Sequence, residues 1–85
     1  MNRSELKQQL ALLRTQVAAL EGTDEQTRKA FANLIESVEQ QIEDPQDRTQ
    51  HSSLLELLQK MIEEFEVEHP RLTETLNRIL VGIGG

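Results

Sequence analysis

Two histidines and fifteen carboxylates are the side chains of this 85-residue sequence best equipped for chemistry. Glu66 and His69, three residues apart, have the spacing of one half of a carboxylate-bridged metal site, in which Glu and His project from one helix face. The other half is missing. His51 has Asp47 four residues before it, the wrong spacing, so a second copy of the chain, with Glu36 or Glu39, would have to complete the set. Pro70 also disturbs the helix at the ligand position, and His69 serves equally well as a donor at a helix end, where free carbonyls gather. No cofactor or metal is therefore expected, with Glu66 and His69 kept as the metal-binding alternative.

The remaining combinations are weaker. Glu63, Glu64, Glu66 and Glu68 could divide acid and base roles if held close. They fall on different helix faces, as do Glu36, Glu39, Glu43, Asp44 and Asp47, and both runs read as solvated surface. Ser52 and Ser53 follow His51, but neighbours on a helix point apart, which defeats a nucleophile–base pair. Gly84-Gly85 has the form of a modifier tail without any strand pattern before it. No catalytic residue is assigned, and an enzyme is not expected.

The elements that must position these residues are helices. Leu6, Leu10, Leu13, Val17 and Leu20 step by four and three, predicting a first helix over 3–21 that starts on an Asn2/Glu5 capping box and stops at Gly22. Phe31, Leu34, Ile35, Val38 and Ile42 predict a second over 24–43, with Thr23 and Gln26 as its capping box. The short link makes the two an antiparallel hairpin. Asp44-Pro45 interrupts the pattern. A third helix over 48–69 carries the widest apolar stripe, with Thr49 or Ser53 as candidate caps, and a short fourth helix spans 71–81.

Leu55, Leu58, Ile62, Phe65, His69, Leu72, Leu76, Ile79 and Ile83 keep the same four-three alternation across Pro70, with His51 in phase. One kinked helix or two separate helices both fit. Because the residue before proline avoids helical geometry, a break at His69-Pro70 is preferred. The fold class is thus all-α, an antiparallel bundle of three long helices plus a short C-terminal helix after Pro70, in one domain over 1–85.

Phe65-Glu66-Val67-Glu68-His69-Pro70-Arg71-Leu72-Thr73, with Gly82-Ile83 near the end and Glu5-Leu6-Lys7 near the start, resembles the domain of unknown function 4404 family along the whole length. The sequence departs from it slightly in running on to Gly84-Gly85. The resemblance implies a short, acidic, helical bacterial protein and brings no activity with it.

Composition narrows the partners. A formal net charge of −6 with scattered bases disfavours nucleic acid and anionic membrane. No apolar run approaches the ~20 residues of a bilayer span. The absence of cysteine removes disulfides and thiolate chemistry, and the cytoplasm is the expected compartment. With only Phe31 and Phe65 as aromatics, so small a core often gains stability by oligomerisation. Four heptad seams exceed the need of one three-helix core. The expected function is a non-enzymatic interaction or structural protein, homo-oligomeric, with Leu72, Leu76, Ile79 and Ile83 as partner contacts and His69 and Pro70 as the turn presenting them. No small-molecule substrate is evident. An acidic inhibitor that masks a basic partner surface is the further alternative.

Overall fold

The computed structural model describes residues 2–84 and consists of four helices, α1 (Arg3–Ala18), α2 (Glu25–Glu43), α3 (Arg48–Phe65) and α4 (Pro70–Ile83). Each start has a local cause. Asn2 caps α1 by accepting from the Glu5 backbone amide at 2.8 Å, and its side-chain amide donates to the Glu5 carboxylate at 3.4 Å, a side-chain pair in place of the backbone return bond of a full capping box. Asp24 accepts from the Thr27 amide at 2.7 Å, so the cap of α2 is Asp24 and the Thr23/Gln26 box does not form. Asp47 caps α3 through the Gln50 amide at 3.0 Å, ahead of both expected candidates. Pro70 occupies the first position of α4, where its fixed φ suits the helix and its missing N–H costs nothing.

The ends differ from the periodic expectation. α1 stops three residues early at Ala18, because the chain must already turn before Gly22, which sits at φ +71. α3 stops at Phe65 rather than at 69. Its last turn runs on only as far as the His69 N–H, which donates to the Phe65 carbonyl at 2.8 Å. His69 itself, at φ −134 and ψ 66, has left helical geometry ahead of the proline. α3 and α4 are therefore two helices. α4 is also longer than expected, beginning at 70 and ending at 83.

Packing revises the three-plus-one picture. α1 lies against α2 and α4, and α3 lies against α2 and α4, while the diagonals make no backbone-level contact among the described residues. The helices form a closed four-membered ring, and α4 is a full stave of it. Neighbours run antiparallel: Gln16 near the end of α1 donates to the Arg71 carbonyl at the start of α4, and His51 at the start of α3 meets the Ile83 carbonyl at the end of α4. The core holds Leu10 and Leu13, then Phe31, Leu34, Val38 and Ile42, then Leu54, Leu58 and Met61, and finally Leu72, Leu76 and Ile79. In α3 the buried line is thus 54–58–61, while Leu55, Ile62 and Phe65 are half-buried beside it. The Phe31 and Phe65 rings meet at 5.1 Å, tilted by 42°. No helix among the described residues is long and apolar enough to cross a membrane.

Candidate functional site

The bundle offers two regions with features beyond packing. One is the end where α1 and α3 begin and α2 and α4 finish. Arg3, Leu6, Gln41, Ile42, Glu43, Pro45, His51, Gly82 and Ile83 line a half-open cleft of about 340 Å³ there. The His51 Nε2–H donates to the Ile83 carbonyl at 3.1 Å, which answers one of the carbonyls left free at the end of α4. That bond leaves Nδ1 as the acceptor nitrogen. Gly84 passes so close that a Cβ built on it would lie 2.7 Å from His51 Nε2. Gln41 is buried, and its amide donates to the Pro45 carbonyl at 3.4 Å, closing the turn between α2 and α3. Its Oε1 is buried without a hydrogen-bond partner. The chemistry of this end is structural: it ties helix ends together and gathers no reactive pair.

The other region is the outer face of α1. Opposite its core stripe, Ser4, Gln8, Ala11, Leu12, Thr15, Ala18 and Ala19 are all exposed, and none is charged. Thr15 turns its hydroxyl back to the Ala11 carbonyl at 3.2 Å, so that polar group is spent within the helix. Leu12 is 40% exposed. The charges of α1 sit at its two flanks: on one, Arg14 pairs with Glu39 of α2 and Lys7 lies beside Glu43, and on the other exposed Glu5 borders the strip beside Gln8 and Leu12. The outward faces of the other helices are charged: Glu25, Lys29 and Glu36 on α2, Glu56, Lys60 and Glu63 on α3, and Arg71, Glu74 and Arg78 on α4. In a chain with 28% charged residues, an uncharged strip about four turns long stands apart.

The residues expected from sequence fall as follows. Leu72 (4% exposed), Leu76 (0%) and Ile79 (0%) lie in the core of a single chain, and Ile83 packs half-buried against it. They are spent on closing the ring, so the surplus seam after the proline is withdrawn as a partner surface. His69 and Pro70 do form the turn into α4, with His69 half-buried and its ring 6.3 Å from that of Phe65. Glu66 lies just past the end of α3 and is exposed, while His69 is half-buried in the turn. No group of three or more His, Cys, Asp or Glu able to hold a metal exists among the described residues. Gly85 lies outside the described residues. Sequence reasoning passed over the outer strip of α1, whose signal was plain: no charge at positions 4, 8, 11, 12, 15, 18 and 19.

Comparison with known families adds one finding. A family described as a domain of unknown function (DUF4404) matches residues 6–84. The chain belongs to this family. Neither curated proteins nor solved structures give a match. The DUF4404 span takes in α2, α3 and α4 whole and α1 from Leu6 onward. Both the His51 end and most of the α1 strip therefore lie within what defines the family by sequence.

Proposed function

We propose that this protein is a non-enzymatic interaction protein, cytoplasmic and homo-oligomeric, working through helix–helix contacts made by the outer face of α1. The observation that carries the reading is the uncharged, partly apolar strip of α1 against the mostly charged outward faces of the other helices, on which Val81 of α4 is an isolated exposed apolar residue. Charged side chains are the first to be depleted at the centre of a protein contact, since each would have to be desolvated. The apolar seams offer no alternative, since the ring consumes all four. Light scattering across a dilution series tests the proposal. The wild type is expected to dissociate on dilution, and Leu12→Glu to be monomeric throughout with its helix content unchanged. A wild type that stays monomeric at high concentration refutes it.

A second reading, an acidic protein that masks a basic partner, has one observation in its favour. Thirteen of the fifteen acids lie outside α1 and α4, on α2, α3 and the turns. A complex held by that side would weaken steeply with added salt, whereas one held by the α1 strip would not.

A further inference from the structure

We propose that the cleft at the His51 end binds a free α-amino acid with a branched aliphatic side chain. Arg3 takes its carboxylate, Glu43 and Gln41 take its ammonium, and Leu6, Ile42 and Ile83 hold its side chain. The proposal does not rest on the α1 strip, since Leu6 belongs to the core stripe of that helix. A pocket for a small molecule is mostly apolar, with a few polar groups that fix orientation. Leu6 and Ile83 pack half-buried against the core beside buried Ile42, and all three line the cleft. Gly82, in the last turn of α4, lines it without a side chain.

The two charges on the cleft are of opposite sign and come from opposite helix ends. Arg3 starts α1, whose N-terminus carries partial positive charge, and Glu43 ends α2, whose C-terminus carries partial negative charge. Neither makes an ion pair with another described residue; the recorded pairs are Arg14–Glu39, Lys29–Glu25 and Arg78–Glu74. Lys7, beside Glu43, lines the neighbouring cleft with Arg14. A zwitterion offers one charge to each side and is neutral overall, so the net charge of −6 does not repel it.

Gln41 is an independent sign of a ligand. It lines the cleft although only 5% exposed, and its buried Oε1 accepts no hydrogen bond. Buried acceptors without a donor are few in folded proteins. A single long bond of 3.4 Å to the Pro45 carbonyl holds the amide. Its last torsion is soft, so a small turn brings Oε1 to a donor in the cleft. An ammonium has three such donors, enough for Gln41 and Glu43 together.

L-Leucine is the test ligand, added to the 85-residue chain and followed by backbone-amide NMR. Saturable shifts are expected at Arg3, Leu6, Gln41, Glu43, His51 and Gly82, with the millimolar affinity that a half-open cleft and few ligand atoms imply. Isocaproate lacks the amine, isopentylamine lacks the carboxylate and glycine lacks the side chain; each should bind several-fold more weakly. Arg3→Ala should abolish the preference for leucine over isopentylamine, and Glu43→Gln the preference over isocaproate. Both positions are exposed, so the fold is kept. Gly82→Leu should fill the cleft and abolish binding. No saturable shift with leucine would overturn the proposal, as would shifts away from these residues or full binding by Gly82→Leu. Equal binding of either one-headed analogue by the wild type would overturn the amino-acid assignment.

Discussion

His51 joins the first turn of α3 to the last carbonyls of α4, and Gly84 leaves the room for it to do so. The two residues act as one device, so their substitutions should not add. His51→Ala removes a partly buried hydrogen bond, a loss of about 0.5–1.5 kcal/mol. Gly84→Ala puts a methyl group where the imidazole sits and also places an alanine at φ +157, so it should cost more than His51→Ala. Once His51 is gone, Gly84→Ala has no imidazole to displace and keeps only the backbone strain at φ +157. Thermal unfolding of the two single variants and the double is expected to show the double no worse than the poorer single, a non-additivity that distant sites do not give. None of this was legible in the residue types alone. His51 stood in phase with the apolar stripe, but its partner is a backbone carbonyl 32 residues away, which no local spacing encodes.

At the scale of the helix, the caps show where sequence reasoning succeeds and where several answers compete. Asn2 caps α1 as its position announces, because no other candidate lies nearby, while Glu5 pairs with the Asn2 side chain instead of completing the box. Before α3 the chain offers Asp47, Thr49 and Ser53, and the structure uses Asp47. Asp47→Ala is therefore expected to cost about 1 kcal/mol in urea unfolding, while Thr49→Ala and Ser53→Ala cost much less. A larger loss at Ser53 would place the start of α3 wrongly. Asp24 makes the same kind of bond at α2, and the donation from Thr27 holds its carboxyl below the ordinary carboxylate range. Its contribution is full above the unfolded value near 3.8 and disappears as pH falls through the lower folded value. The four helices themselves were legible from their three-four repeats. The buried edge of α3 was not: Leu54, Leu55, Leu57, Leu58, Met61 and Ile62 cover so wide an arc that the choice of core line depends on where α2 and α4 stand.

For the whole molecule, the decisive fact is that four seams close on one another. Leu76 and Ile79, fully buried on α4, hold the ring as firmly as Leu13 and Leu34 do on α1 and α2. Leu76→Ala should destabilise the fold by about 2–5 kcal/mol, a large share of what a domain this small possesses. Leu12→Ala should change stability by less than about 0.5 kcal/mol while shifting the dilution midpoint of self-association. Calorimetry and light scattering on the same pair of variants separate the two roles, and similar unfolding losses at both positions would contradict the ring. Sequence periodicity could not reveal closure, since an apolar stripe is the same whether its neighbour is in the chain or in another molecule. The ring also sets an order of assembly. Three of its four seams join helices connected by short turns and can form within a local hairpin. The α1–α4 seam must instead bring together segments from opposite ends of the sequence, and its loop-closure entropy is offset only after α2 and α3 have brought those segments near. The pairing that makes the bundle a ring is thus the slowest to arise, and the hairpins on either side of it must already hold before it does.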